Sequence, residues 1–204
     1  MRITMSILVL TLVGILGFVF MGGSPNPLQR KGGKAKQTQI DRGKYLVTVA
    51  GCQDCHSPKI FTKDGPIFDT TRTLSGHPAN EAVPDVPPGL IAPDKWGGLF
   101  NNHLTQWTGP WGTSFTRNLT PDSATGLGSW TEEIFIKALR TGKDMGEGRD
   151  ILPPMPWQVY RHVTDEDLKA IFAYLRSLPP IENAVPDPIA PTGERLPTLK
   201  TPKK

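Results

Sequence analysis

The sequence predicts an all-α domain with long irregular loops, preceded by a single N-terminal transmembrane helix. Three observations support this fold class. Two stretches that begin with helix-capping residues carry apolar side chains at helical spacing. Glycine and proline, 21 of each, make up about a fifth of the 204 residues, which is typical of long connections between few elements. Residues 4–23 are almost wholly apolar.

The apolar run over residues 4–23 has the length of a membrane-crossing segment. As a helix its 20 residues would extend about 30 Å, which matches the hydrocarbon core of a bilayer. A cleaved signal peptide is the competing interpretation, but residues 18–23 lack the small-residue pattern of a cleavage site. We therefore expect residues 1–23 to be an N-terminal anchor that contacts the lipid bilayer through residues 4–23.

The charge distribution separates the ends of the chain from its centre. Residues 24–39 lack apolar periodicity and predict a basic, flexible tether. The net charge is +4 for the whole chain, but residues 45–181 contain 12 basic and 15 acidic side chains. The excess of positive charge therefore belongs to the tether and to the lysine-tipped C-terminus. This distribution argues against nucleic-acid binding.

The central domain is predicted to span residues 40–181. Its first helix covers residues 40–50, with an imperfect apolar face. Gly43 costs this helix stability, so we expect close approach of another helix to be the reason for its presence. Between residues 57 and 111 prolines and glycines recur, and no convincing element is predicted there.

Two later helices are predicted from their capping signals. The box Ser-Trp-Thr-Glu at 129–132 opens a helix that Gly142 ends. The box Thr-Asp-Glu-Asp at 164–167 opens another, whose apolar side chains recur at helical spacing until the two prolines at 179–180. Residues 182–204 are proline-rich and polar and predict an extended, partly disordered tail with a basic tip.

The most specific motif is Cys-Gln-Asp-Cys-His at residues 52–56. C-x-x-C-H is the pattern of covalent c-type haem attachment. Two thiols one helical turn apart can form thioethers with the vinyl groups of one porphyrin, and the neighbouring imidazole can ligate the iron. The sequence therefore predicts one haem c, bound through Cys52 and Cys55, with His56 as the proximal iron ligand.

Three other interpretations of the cysteine pair have less support. A thioredoxin-like redox couple requires a βαβ setting, and no such pattern surrounds the motif. A structural zinc site requires a second pair of ligands, and the chain has only these two cysteines. A simple disulfide is possible, although so short a loop is usually reactive rather than structural.

Met155 is predicted to be the second axial ligand of the iron. It lies among three prolines, which stiffen its loop, and a thioether raises the reduction potential relative to a second imidazole. Met145 is a rival, but its glycine-rich surroundings look too mobile to hold a ligand. Ligation by His77, His103 or His162 is a further alternative.

Four motifs together resemble bacterial class I monohaem cytochromes c, a family that also supplies modules of dehydrogenase cytochrome subunits. They occur in the family's order, and they are the attachment motif at 52–56, Asn-Leu-Thr-Pro-Asp at 118–122, Gly-Leu-Gly-Ser-Trp at 126–130 and Pro-Pro-Met-Pro-Trp at 153–157. The resemblance covers residues 40 to 183. It implies the class I cytochrome c fold, in which the N- and C-terminal helices cross.

The same resemblance implies roles for six residues. It places covalent haem at Cys52 and Cys55 and assigns the axial ligands to His56 and Met155. It also implies that Arg117 and Trp130 face the haem propionates, the two carboxylates of the cofactor. The long segment from 57 to 111 departs from the family pattern, which leaves its path around the haem open.

These inferences lead to a functional hypothesis. The chain is expected to carry single electrons between redox partners on the outer face of the cytoplasmic membrane, with its haem domain facing the periplasm or the cell exterior. The expected partner is a membrane redox complex, namely a quinol-oxidising complex, a dehydrogenase, an oxidase or a photosynthetic reaction centre. No side chain is predicted to act as acid, base or nucleophile, so the chain is not expected to be an enzyme.

Two alternatives to a free carrier stay open from the sequence. The chain could be a haem subunit fixed within a respiratory or photosynthetic complex. It could also be a haem enzyme or sensor, if the sixth ligand of the iron is labile.

Overall fold

The computed structural model describes residues 27–197. Five α-helices lie in this part of the chain: α1 (Pro27–Val49), α2 (Cys52–His56), α3 (Glu132–Thr141), α4 (Trp157–Tyr160) and α5 (Asp165–Ser177). Five short β-strands accompany them: β1 (Lys59–Thr62), β2 (Gly65–Phe68), β3 (Leu99–Phe100), β4 (Gln106–Gly109) and β5 (Gly112–Phe115). Two single 3₁₀ turns cover Thr70–Arg72 and Asp144–Gly146.

The all-α prediction is wrong, because the long segment after the cysteine motif contains five short β-strands that pair into two sheets. β1 and β2 form an antiparallel hairpin, and β3, β4 and β5 form an antiparallel sheet in that order. The sheets satisfy backbone hydrogen bonds that an irregular segment of this length would leave open. Lys63 and Asp64 form the loop between the first two strands, and the dipeptide Asp64-Gly65, whose glycine begins β2, is a turn signal. The density of prolines around it masks that signal.

Within residues 27–197, no helix combines the length and apolar character needed to cross a bilayer. The predicted membrane helix over residues 4–23 lies outside the described residues.

α1 begins well before the expected start at residue 40. Pro27 occupies its first position, where the missing N–H and the fixed φ of proline suit a helix start. The helix therefore includes residues 27–39, which we expected to form a flexible tether. Lysine and glutamine, both good helix formers, each occur three times in this stretch.

The capping signals locate α3 and α5. Thr164 caps α5 as predicted, because its side chain accepts from the N–H of Asp167 at 3.2 Å. α3 starts later than its box suggested, since the cap is Thr131, whose hydroxyl accepts from the N–H of Ile134. Gly142 ends α3 in the left-handed conformation, with φ of 68°.

The hydrophobic core lies between α1, α3 and α5. Its members are all buried and include Val47, Leu127, Phe135, Leu168, Phe172 and Leu175. The crossing of α1 and α5 provides the main helix–helix contact of the domain. The ring centroids of Phe135 and Phe172 are 5.2 Å apart, which joins α3 to the same core.

The segment after α5 packs against the domain in an extended conformation. Asn183 donates to the carbonyls of Ser75 and His77, at 2.7 and 2.8 Å. Further along, Ile189 and Thr113 of β5 exchange two backbone hydrogen bonds, at 2.7 and 2.8 Å. Residues 183–189 therefore connect the 74–79 turn to the three-stranded sheet.

Candidate haem-binding site

A large cavity lies beside the core and is lined mainly by apolar side chains. Its empty volume is about 1410 Å³, counted out to its open mouth. The apolar lining includes Val47 from α1, Phe115 from β5, Phe135 from α3 and Leu168 from α5. The cavity wall is therefore formed jointly by helices, by β5 and by loops. A flat, largely apolar cofactor suits such a lining.

The cysteine motif forms one edge of the cavity. Gly51 adopts the left-handed conformation, with φ of 67°, and turns the chain from α1 into α2. Both Cys52 and Cys55 line the cavity as free thiols. Burial raises the pKa of Cys52 to about 11 and also raises the pKa of Cys55.

The chemistry of the two thiols fits thioether formation better than metal binding. Thiols with raised pKa values stay protonated at neutral pH, whereas a metal needs the thiolate. Among residues 27–197, no group of three or more His, Cys, Asp or Glu side chains is arranged to hold a metal ion. The zinc interpretation of the cysteine pair therefore has no support in the structure.

His56 presents one ring nitrogen to the cavity. Its Nδ1 lies 2.8 Å from the carbonyl oxygen of Arg117, which can only accept, so Nδ1 carries the proton. This tautomer leaves the lone pair of Nε2 available as an iron ligand. Burial lowers the pKa of His56, although the bond to the carbonyl opposes the shift. The imidazole is therefore neutral, as ligation requires.

The β1–β2 hairpin fixes the C-terminal end of α2. Nζ of Lys59 donates to the carbonyls of Asp54 and His103, each at 2.5 Å, and to that of Ser57 at 3.2 Å. The carbonyl of His56 accepts from the N–H of Gly76 at 2.8 Å. The bonds to Asp54, His56 and Ser57 satisfy carbonyls that the end of a helix leaves open, and the bond to His103 ties Lys59 to the loop between β3 and β4. These bonds hold the backbone of His56 in place at the edge of the cavity.

Met155 lies on the wall of the same cavity as His56. Its loop is held at three points. The N–H of Trp157 donates to the carbonyl of Met155 at 2.9 Å, and the hydroxyl of Ser114 donates to the carbonyl of Pro153 at 2.5 Å. The N–H of Ile151 donates to the carbonyl of Gly142 at 2.8 Å, which ties the loop to the end of α3.

The rival ligands lie elsewhere. Met145 packs against the hydrophobic core and is not part of the cavity wall. His77, His103 and His162 also lie outside the wall. Among the side chains that line the cavity from the described part of the chain, Met155 is thus the thioether available to face His56.

Arg117 and Trp130 both line the cavity. The guanidinium carbon of Arg117 lies 5.0 Å from the centroid of the Trp130 ring, within range of a cation–π contact. Arg117 also forms an ion pair with the buried carboxylate of Asp144. That these two residues face the haem propionates stays a prediction.

Several residues of the cavity wall were not predicted from the sequence. Phe115 is the last residue of β5, in the sheet that was not predicted, and Thr116 follows it. Asp144 and Arg149 belong to the loop after α3. Pro188 comes from the segment expected to form a partly disordered tail. The glycine on either side of Pro110-Trp111 was an available hairpin signal for β4 and β5. No local signal marks the other positions.

The arrangement fits a covalently bound haem. Two thiols on one short helix, a neutral imidazole with a free Nε2 and a thioether converge on one apolar cavity. When bound there, haem supplies a one-electron couple between Fe(III) and Fe(II).

Comparison with known proteins gives a consistent result. A family model described as Cytochrome c matches residues 40–179. The fructose dehydrogenase cytochrome subunit of Gluconobacter japonicus is 28% identical over 149 residues, which cover 73% of this chain and 23% of that protein. The gluconate 2-dehydrogenase cytochrome c subunit of Pantoea cypripedii is 28% identical over 155 residues, which cover 76% of this chain and 26% of that protein.

A third relative is the cytochrome c subunit of the quinone-dependent alcohol dehydrogenase of Gluconobacter oxydans. It is 29% identical over 168 residues, which cover 80% of this chain and 27% of that protein. The chain thus spans about a quarter of the length of these three relatives.

Proposed function

Because the chain belongs to the cytochrome c family, we propose that it is a haem-containing electron carrier that works with a dehydrogenase. The observation that carries this proposal is the convergence of Cys52, Cys55, His56 and Met155 on one apolar cavity. The three relatives are, by name, cytochrome subunits of dehydrogenases. The chain transfers electrons and is not itself an enzyme.

Each of the four residues has a separate role in this proposal. Cys52 and Cys55 would hold one haem c through thioethers. Nε2 of His56 and the sulfur of Met155 would ligate its iron, which would exclude exogenous ligands. The hydrogen bonds around Pro153 and Met155 keep the thioether in place during oxidation and reduction, which lowers the reorganisation that electron transfer requires.

Arg117 and Trp130 complete the site at the haem propionates. Asp144 orients the guanidinium of Arg117, and the Trp130 ring packs against its face. A guanidinium in this position pairs well with a carboxylate, because its planar fork offers two parallel N–H groups.

We further propose that the protein acts at the outer side of the cytoplasmic membrane, held there by lipid contacts of the apolar segment 4–23. This location supports efficient transfer, because attachment to the membrane raises the effective concentration of the carrier near its partner. Cell fractionation tests it. Haem-containing full-length protein should remain with carbonate-washed membranes, and its recovery in the soluble fraction would contradict membrane attachment.

A haem stain of the full-length protein on a denaturing gel tests the central proposal. Covalent haem survives denaturation, so the wild-type band should stain and the double variant Cys52→Ser/Cys55→Ser should not. An unstained wild-type band from cells that mature c-type cytochromes would refute the proposal.

Two further measurements separate the alternatives. Ready binding of carbon monoxide to the reduced wild-type protein would favour a haem enzyme or sensor with a labile sixth ligand. Purification in mild detergent distinguishes a free carrier from a fixed subunit. Co-elution with a dehydrogenase would favour a fixed subunit. The names of the three relatives, all cytochrome subunits of dehydrogenases, support this alternative.

A further inference from the structure

Two buried polar atoms in the cavity wall have no hydrogen-bond partner within residues 27–197. They are Oγ1 of Thr116 and Nε of Arg149. Buried polar atoms in native proteins nearly always have a partner, so an unpaired one requires an explanation. Since both atoms belong to residues that line the same cavity, the missing partner is best sought in what fills that cavity.

The backbone of Thr116 is already fully used. Its N–H donates to the carbonyl of Thr105 at 2.9 Å, and its own carbonyl accepts from the N–H of His77 at 3.0 Å. Only the hydroxyl is left, on a residue that is 9% exposed. Because the hydrogen bonds to Thr105 and His77 hold the backbone of Thr116 in place, its hydroxyl cannot reach solvent by a small shift of the chain.

Arg149 brings a positive charge to the same wall. Its Nη1 donates to the carbonyl of Asp150 at 3.0 Å, and its carbonyl accepts from the N–H of Asp144 at 2.8 Å. Burial lowers the pKa of Arg149, and the carboxylates of Asp144 and Asp187 oppose that shift. A guanidinium stays protonated in proteins, so its buried Nε–H calls for an acceptor, preferably an anionic one.

Arg117 links the two atoms to one region of the wall. It follows Thr116 in the chain, and its guanidinium pairs with Asp144, whose carboxylate also acts on Arg149. Arg117 therefore already has an anionic partner in Asp144, and the same carboxylate also acts electrostatically on Arg149. Of the two arginines, Arg149 is the one with a buried N–H left over.

We propose that Thr116 and Arg149, through their unpaired buried atoms, together bind one carboxylate of the haem. This inference rests on the proposed function, since it needs a haem in the cavity. The propionates are the anionic oxygens of that cofactor, and one carboxylate can accept from a hydroxyl and from a guanidinium N–H at once. The pair thus adds two donors next to the contacts expected from Arg117 and Trp130.

The contact has a consequence for the iron. A positive charge held beside a propionate disfavours the extra positive charge of Fe(III), so it raises the reduction potential. The hydroxyl of Thr116 acts in the same direction but less strongly, because it offsets only part of the carboxylate charge. Arg149 is thus a positioning residue for the haem and a determinant of its potential.

Redox titration of the purified, haem-containing full-length protein tests this inference. Arg149→Gln should shift the equilibrium for reduction roughly tenfold toward Fe(III), which lowers the midpoint potential by about 59 mV. Arg149→Lys keeps the charge and should retain more than half of the wild-type effect. Thr116→Val, which keeps the side-chain volume, should lower the potential by a smaller amount. Arg72→Gln is the control, because Arg72 pairs with Asp69 outside the cavity.

The inference is overturned if Arg149→Gln and Thr116→Val both have the midpoint potential of the control. It is also overturned if the midpoint potential of Arg149→Lys is as low as that of Arg149→Gln. If Arg149→Gln cannot be purified with haem, the potential of Thr116→Val alone tests the inference. A value equal to that of the control would overturn it. A wild-type protein that fails the haem stain would remove the proposed function itself. A stained wild-type protein with unaltered variant potentials would remove only the role of Thr116 and Arg149.

Discussion

Gly43 of α1 lies directly against the backbone of Ala170 of α5. A β-carbon added at Gly43 would be 1.9 Å from the carbonyl oxygen of Ala170 and 2.8 Å from Cβ of Tyr174. Both distances are far inside van der Waals contact. The crossing of the two helices therefore depends on the absence of a side chain at this position, which confirms the expectation of a close helix approach at Gly43.

The substitution Gly43→Ala should destabilise the protein. Alanine improves helix propensity by about 1 kcal/mol, but overpacking of a close contact typically costs about 1–3 kcal/mol, and here the clash is with backbone. We expect a net loss of about 2 kcal/mol in the free energy of unfolding, measured by urea denaturation of the haem-containing protein.

Gly33→Ala is the matched control on the same helix, because a β-carbon there meets nothing within 4 Å. It should not lower the stability. If Gly43→Ala unfolds at the same urea concentration as Gly33→Ala, the close contact with Ala170 does not limit the crossing.

Met155→Ala should change the spectrum of the oxidised protein. Loss of the thioether removes the sulfur-to-iron charge-transfer band, lowers the reduction potential and opens the sixth position to carbon monoxide. Absorption spectroscopy of the oxidised and reduced forms measures the first and third effects. Met145→Leu, at a methionine outside the cavity wall, should keep the wild-type spectrum. A band that survives Met155→Ala would assign the ligand elsewhere.

Asn183→Ala should release the segment 183–197 from the domain. The Asn183 side chain donates to the carbonyls of Ser75 and His77 and accepts from the N–H of Ala79 at 2.9 Å. Loss of this side chain leaves these backbone groups unpaired, and we expect the free energy of unfolding to fall by about 2–3 kcal/mol. Limited proteolysis should then cut the segment faster than in wild type.

Asn102→Ala serves as the control for this experiment, because Asn102 is exposed on a turn. Equal proteolysis of the two variants would show that the segment is held by other contacts, such as the backbone pairing of Ile189 with Thr113.

His77 should make the stability fall on the acid side of neutrality. The side chain is fully buried, its Nδ1 lies 3.0 Å from Oγ1 of Thr105, and burial lowers its pKa. Glu81 opposes this shift and His103 adds to it. The unfolded chain therefore protonates first, from about pH 6.5 downward, so stability is lost as the pH falls below that value.

Urea unfolding at pH 7.5 and at pH 5.5 measures this dependence. The loss of stability between the two should be smaller in His77→Gln than in wild type, whereas His162→Gln, at an exposed position, should behave as wild type. An equal loss in all three proteins would exclude a contribution of His77.

Much of the site could be predicted from local sequence. The attachment motif at 52–56, the proline-flanked Met155 and the cap at Thr164 each carry their own signal within a few residues, because thioether spacing, loop stiffness and helix capping are local properties. The family model that matches residues 40–179 agrees with the resemblance drawn from these motifs.

Other features had no such signal. The all-α prediction failed because the strands of the 57–115 region pair across turns that proline and glycine make hard to recognise, and strand pairing depends on partners more than on propensity. Thr116, Arg149 and Pro188 reach the cavity from three separate parts of the chain. Nothing in the residues around them indicates a cavity.

The sequence by itself predicted a haem attachment site at residues 52–56 and a thioether, Met155, that the structure places on the wall of the same cavity. Only the tertiary structure decided which side chains form the rest of the cavity wall and which buried donors lack a partner. The physical reason is that attachment depends on the spacing of residues along one helix. The environment of the cofactor depends instead on contacts between segments far apart in the chain, and folding alone brings these together.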